Sequence, residues 1–351
     1  MSTKEKDVEM TKEMQTEEKE EKQLKIQSKD NALHEKGGVK EILGCLLLLV
    51  TALIWGFAFV AQSKGMESVG PFTFNGIRSF VGAIALLPVL IFNRTKIFKV
   101  YNAEHEEITN PGKKKKYLLS GILVIGIVFF LATSSQQIGI GLTDSVGKAG
   151  FITALYIVLV PLLGIFLKRR PGIIVYACVL VSAVGLYLLC IPKGSRFTLK
   201  AGDLLLVACA ILFSSHIMLI DFFTQRISGI LIAFCQLITV GLFSLIGIIF
   251  FEQPTWESIR TAILPILYAG VLSSGVGYTF QILGQKYVEP TKASLIMCME
   301  SVFSVLGGWL IMKQTLTLRE GIGCIVMFIA ILVCQIFGNK TAAPVRDKTK
   351  E

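Results

Sequence analysis

Glu300 is the residue best placed to do chemistry, because it stands alone. The stretch Lys292 to Trp309 reads KASLIMCMESVFSVLGGW, and no further charge follows Glu300 until Lys313. An ionisable group in apolar surroundings is costly and marks a substrate or ion pathway. His216 is the second candidate. At 1.5 Å per residue, Glu300 lies about 13 Å and His216 about 18 Å into oppositely running segments, so the two reach similar depth. A carboxyl and an imidazole at one level could relay a proton. Interhelical hydrogen bonds that only hold helices together are the structural alternative for both.

A second group centres on Arg78, about 9 Å into its segment, with Trp55 at similar depth. A guanidinium there could grip a substrate carboxylate in bidentate fashion, stack on the indole, or simply brace or snorkel. Polar residues also run together from Thr133 to Gln137, answered by Ser273, Ser274, Tyr278 and Gln281. The expected substrate-binding set is therefore Trp55, Arg78, Gln137, Tyr156, Tyr278, Gln281 and Glu300, with Glu300 and His216 as proton-coupling candidates. Lys148 and Lys292 read as residues snorkelling at segment ends. Pro161 reads as a kink or hinge.

The elements that must hold these residues are membrane spans. The chain is 53% hydrophobic and 17% charged over 351 residues, with a mean hydropathy of +0.65. Ten apolar segments are long enough to cross a bilayer: 42–62, 72–92, 118–138, 146–167, 172–191, 203–222, 230–250, 262–282, 291–312 and 318–338. Continuous runs of this length exclude a β-barrel, whose strands alternate. The expected fold is an all-α polytopic membrane protein of ten helices.

The formal charge of +10 sits mostly in loops, so it points to topology and not to nucleic acid. Residues 93–116 carry Arg94, Lys96, Lys99 and Lys113 to Lys116, and the next loop on that side carries Lys168 to Arg170. Both termini are then expected in the cytoplasm. Residues 1–40 hold nine Lys and ten Asp or Glu without an apolar run, which predicts a disordered charged tail and no cleavable signal peptide. A C-terminal tail is expected at 339–351. All eight cysteines fall inside predicted segments without a CxxC or a Cys/His cluster, so neither a disulfide framework nor a metal site is expected. No GxxxxGK[ST], HExxH or GxSxG occurs, which leaves ATP hydrolysis by a P-loop and intramembrane hydrolysis without visible machinery. No enzyme activity and no cofactor are expected.

The chain also resembles itself. At an offset of 144, Gln137-Ile138 meets Gln281-Ile282, Lys148-Ala149 meets Lys292-Ala293, and Gly164 meets Gly308. At 158, Gly44 meets Gly202, and Leu46 to Leu48 meet Leu204 to Leu206. Tyr156 then occupies the position of Glu300, and Gln236 that of Arg78. Two five-helix halves, 41–192 and 200–338, follow, with the long basic loop 93–116 absorbing the change of offset. Five is odd, so the second half enters the membrane inverted, the arrangement of secondary transporters.

Ala52 to Gly56 with Gln62, Pro71 to Phe74 with Arg78, Gly147 to Thr153 followed by Tyr156 and Val160-Pro161-Leu162, and Glu300 to Phe303 with Gly307-Gly308 resemble a bacterial EamA-type permease. That family belongs to the drug/metabolite transporter superfamily, and the likeness covers about residues 40–338. It implies two EamA repeats, a central cavity, a plasma-membrane location and export of amino acids or other small metabolites. The acidic residue common at the ends of spans four and nine is replaced here by Lys168-Arg169-Arg170 and Lys313-Gln314, so no role for that acid carries over. The expected function is a permease for small polar metabolites, working by alternating access. Its partners would be a small-molecule substrate and membrane lipid but no nucleic acid, and it would act as a monomer or homodimer. Drug or cation efflux on the same scaffold, and a non-transporting receptor or scaffold, are the alternatives.

Overall fold

Each apolar run closes its backbone hydrogen bonds within itself, the requirement hydrocarbon imposes on a spanning segment. The computed structural model describes residues 38–102, 106–142, 146–167, 171–191, 194, 200–312 and 317–337. The expected tails at 1–40 and 339–351 lie almost wholly outside these residues. The first repeat comprises α1 (Gly38–Met66), α2 (Pro71–Phe92), a single turn α3 (Arg94–Ile97), α4 (Pro111–Leu142), the pair α5 (Val146–Ala154) and α6 (Tyr156–Phe166), and α7 (Ile173–Cys190). The second comprises α8 (Ala201–Thr224), α9 (Gly229–Phe251), the short α10 (Trp256–Thr261), α11 (Ile263–Leu267) continued by a π-helix (Tyr268–Gly277) into α12 (Tyr278–Gln285), the pair α13 (Pro290–Met297) and α14 (Met299–Met312), and α15 (Leu318–Phe337). Among the described residues nine helices are long and apolar enough to cross a bilayer. The tenth crossing is the broken pair α13–α14.

Gly44–Glu351 forms one compact unit, in which first-repeat helices pack mainly on second-repeat helices: α2 on α9 and the π-helix, α4 on α8, and α7 on α15. The α7–α15 crossing is close because both helices bring glycine to it. A methyl group on Gly323 would fall 2.7 Å from the carbonyl oxygen of Gly185, whereas one on Gly321 would meet nothing within 4 Å. Burial is inverted relative to a water-soluble protein. Ile249, Phe250 and Phe251 are about three-quarters exposed, while Arg78, Gln137, His216 and Glu300 are buried. Lipid covers the outer apolar faces, so polar side chains must find partners inside.

Three sequence expectations change. The run Lys113 to Lys116 is not loop. Asn110 accepts from the Lys113 amide at 3.0 Å and Pro111 begins the helix, so the run forms the first turns of α4. Only the stretch before it is irregular, tied by a bridge from Val100 to Ile227 and an ion pair from Lys99 to Glu107 at 2.9 Å. The fourth span breaks at Leu155 and not at Pro161, which lies inside α6. The ninth span breaks in the same conformation at Cys298, with φ/ψ of −64/−11 against −59/−11 at Leu155, and without a proline. Lys292 does not snorkel. It is buried at the start of α13 and has a partner. The Lys148 side chain lies outside the described residues.

Candidate functional site

The two helix breaks aim their following residues at one another. Tyr156 is the first residue of α6, and Glu300 is the second of α14. The Tyr156 hydroxyl donates to Glu300 Oε1 at 3.1 Å, across a sequence separation of 144. That separation is the repeat offset. Residues related by a pseudo-two-fold axis touch each other only on the axis, so this hydrogen bond marks where it runs.

The cavity beside it obeys the same relation. It measures about 30 Å³ and is lined by Trp55, Phe59 and Gln62 from α1, Gln136 from α4, Thr153 and Tyr156, Phe213 and Ile217 from α8, Ser273, Tyr278 and Gln281, and Met297 and Glu300. Trp55 is the repeat mate of Phe213, Phe59 of Ile217, Thr153 of Met297, and Tyr156 of Glu300. The scaffold is therefore symmetric and the chemistry is not. Trp55 is matched by another aromatic, but Phe59, Thr153 and Tyr156 have mates of different character, and the one carboxylate of the lining comes from the second repeat. The volume suits about two water molecules, far below the 300 Å³ or more typical of a metabolite pocket. This conformation is closed around its centre.

Trp55 is fixed from the second repeat. Its Nε1 donates to the Ser273 carbonyl at 3.3 Å, and its ring lies 4.8 Å from that of Tyr278. Thr51 donates to the Gly277 carbonyl at 3.2 Å, and the Tyr268 hydroxyl to the Ile54 carbonyl at 3.0 Å. The three hydrogen bonds fall on the π-helix, a rare form frequent at functional sites, and the ring contact on the residue that follows it. Its i→i+5 pattern lets the Ser273 carbonyl accept both the Tyr278 amide and the indole. Gly277 makes room for the ring, since a methyl group there would lie 2.7 Å from Trp55 Nε1. Gly56 brings α1 equally close to α14, with a methyl position 2.8 Å from the Glu300 carbonyl oxygen.

Of the residues singled out in the sequence, Trp55, Tyr156, Tyr278, Gln281 and Glu300 line the cavity. Gln137 is fully buried beside it with neither amide atom bonded, and its neighbour Gln136 faces the cavity instead. Successive helix residues point about 100° apart, so only one of the two can face inward. His216 is not in the lining, although Phe213 and Ile217 on either side of it are. Its Nε2 lies 2.9 Å from Gln236 Oε1, and its ring stacks 4.9 Å from Phe129, which in turn meets Tyr278 edge-on at 4.5 Å. The level shared with Glu300 does not bring the two together.

Arg78 is also outside the lining. It is 2% exposed, and its guanidinium lies 5.7 Å from the Phe74 ring centroid. Its Nε has no hydrogen-bond partner. A cation at the centre of a spanning helix costs about 2.5–3.5 kcal/mol on insertion scales, and a ring face returns about 0.5–2. Phe59, Phe213, Ile217 and Met297 were not singled out in the sequence. Pairing residues with their repeat mates would have found two of them, Phe213 and Met297, as partners of Trp55 and Thr153.

The sequence pattern of the EamA-like transporter family matches the chain twice, over residues 42–191 and 200–335. A protein of Archaeoglobus fulgidus described as an uncharacterized transporter is 27% identical over 305 residues, 85% of this chain and 88% of the relative. Bacillus subtilis "Uncharacterized transporter YoaV" is 24% identical over 312 residues, 86% of this chain and 97% of its own length. Salmonella typhimurium "Uncharacterized inner membrane transporter YicL" is 23% identical, over 85% of this chain and 97% of its own. One crystal structure superposes with a TM-score of 0.69 at 17% identity, covering 86% of this chain and 99% of that one. The last comparison speaks to the fold alone.

Proposed function

This chain belongs to the EamA-like transporter family, and on that premise we propose that it is a secondary transporter exporting small polar metabolites, amino acids among them, by alternating access. It is a multi-pass membrane transporter, and the substrate class, direction and mechanism are our reading. The observation that carries the reading is the Tyr156–Glu300 hydrogen bond between repeat-equivalent positions. A site on the pseudo-two-fold axis belongs equally to both halves, so a swap of their conformations opens the same site to either side. Trp55, Tyr278, Gln281 and Glu300 would meet the cargo there, with Gln137 behind them. Glu300 would carry the coupling proton, since it is the one carboxylate at that centre. A plasma-membrane location is supported by the name of the Salmonella relative, an inner membrane protein. The basic loops favour cytoplasmic termini.

Reconstitution in proteoliposomes with an imposed pH gradient tests this. Wild-type protein should move labelled amino acids above the level of empty liposomes, and Glu300→Gln should abolish the response to the gradient. Undiminished, pH-independent flux through the Gln variant would remove Glu300 from the mechanism. The walls of Trp55, Phe59, Tyr156, Phe213 and Tyr278 around one carboxylate also favour an aromatic cation as cargo. Flux of cationic dyes without flux of amino acids would select that second reading.

A further inference from the structure

We propose that Arg78 holds the carboxylate of the transported molecule, so that the cargo is a small organic carboxylate. The inference rests on the transporter reading and narrows its substrate class. Arginine keeps its proton in folded proteins, so burial leaves Arg78 a cation inside the bundle. Its Nε is without a partner, and neither of the described ion pairs includes it. The one carboxylate of the cavity lining, Glu300, is engaged by Tyr156. A buried cation without an anion is a site lacking one component.

Its repeat mate sharpens the point. Gln236 occupies the equivalent position in the second half and is bonded to His216 at 2.9 Å. Only its Oε1 is bonded, and its Nε2 is left without a partner as Arg78 Nε is, but the Gln236 amide is neutral and the Arg78 guanidinium is a cation. A bracing arginine would spend its donors on carbonyls of neighbouring helices, whereas among the described residues the Arg78 guanidinium lies against the face of Phe74 and its Nε donates to nothing. Tyr278 links it to the axial cavity. That ring lines the cavity with Glu300 and lies within electrostatic reach of both Arg78 and Glu300. A cargo entering a widened cavity would place its carboxylate past Tyr278 on the guanidinium fork, whose donors match two carboxylate oxygens. Its remaining polar groups would stay near Glu300.

The test uses the purified full-length protein in detergent, with acetate as the probe carboxylate and acetamide as its neutral isostere, at constant ionic strength. Acetate should raise the wild-type melting temperature saturably, and acetamide should not. Arg78→Gln should need at least tenfold more acetate, Arg78→Lys should fall between because it cannot bind bidentately, and ligand-free Arg78→Gln should melt no lower than wild type. The proposal is overturned if acetate has no effect on wild type, if acetamide or chloride matches it, or if Arg78→Gln responds as wild type does. A ligand-free Arg78→Gln protein that melts well below wild type would mark Arg78 as a packing residue and also overturn it. Wild-type flux is measured separately. Carboxylate binding without flux counts against the transporter reading alone, and amine flux indifferent to Arg78 counts against this inference alone.

Discussion

Removing the Tyr156 hydroxyl probes the centre of the molecule with almost no change of volume. The wild-type hydrogen bond is 3.1 Å long between two groups that are each about 4% exposed. A bond of this kind between neutral groups in a membrane bundle yields about 0.6 kcal/mol in double-mutant cycles, because the unfolded helices find other partners in lipid. A bond to a charged acceptor is worth about 1.5–3 kcal/mol. The coupling between Tyr156→Phe and Glu300→Gln therefore reports the charge on Glu300. We expect about 1.5 kcal/mol, roughly tenfold in the unfolding equilibrium, at a pH where the carboxylate is ionised. It should fall towards about 0.6 kcal/mol in acid, where the neutral acid remains. Reversible unfolding of wild type, both single variants and the double variant in mixed micelles at several pH values would measure it. A coupling below about 0.5 kcal/mol at every pH, or one that never changes with pH, refutes the assignment of Glu300 as an ionisable group held by Tyr156.

Three further outcomes follow from contacts already described. Gly277→Ala should cost about 1–3 kcal/mol by overpacking against the pinned indole, and thermal unfolding should show it together with altered Trp55 fluorescence. Gly323→Ala should lower the melting temperature by forcing α7 and α15 apart, while Gly321→Ala, with open space around it, should leave it unchanged. Glu252 accepts from the Phe72 and Thr73 amides at 2.8 Å each and from the Thr73 hydroxyl at 2.6 Å. Replacing it with Ala should therefore cost about 1–2 kcal/mol, the scale of a lost helix cap, with Gln recovering part of that in a denaturant titration.

The scaffold was legible in the sequence because its two signals, apolar length and self-similarity, do not depend on which way a side chain points. Glu300 was legible for the same reason, since one charge in an apolar run stands out in any orientation. Orientation decided the rest. His216 lies at the right depth but turns towards Gln236 while Phe213 and Ile217 face the cavity. Gln136 takes the inward place expected of Gln137. The self-comparison set Tyr156 against Glu300 as equivalents, but equivalents touch only on an axis, and an alignment does not locate one. The π-helix is too short for its period to be read from sequence, and while Ser273 and Ser274 stood out as polar, Gly270 and Gly277 pass for ordinary packing residues.

The interlocking of the repeats sets a timetable for making the protein. α2 finds its main partner in α9, α4 in α8 and α7 in α15, so the first half leaves the ribosome with its buried faces uncovered. About 160 residues separate the end of α2 from the end of α9. At synthesis rates of 5–20 residues per second this is roughly ten to thirty seconds. Throughout that interval Arg78 and Asn75 must be tolerated in the membrane or sheltered by the insertion machinery. The nascent first half is then the stage most exposed to surveillance by membrane proteases. Replacing Arg78 with an apolar residue should raise the yield of a truncated first half more than that of the full chain.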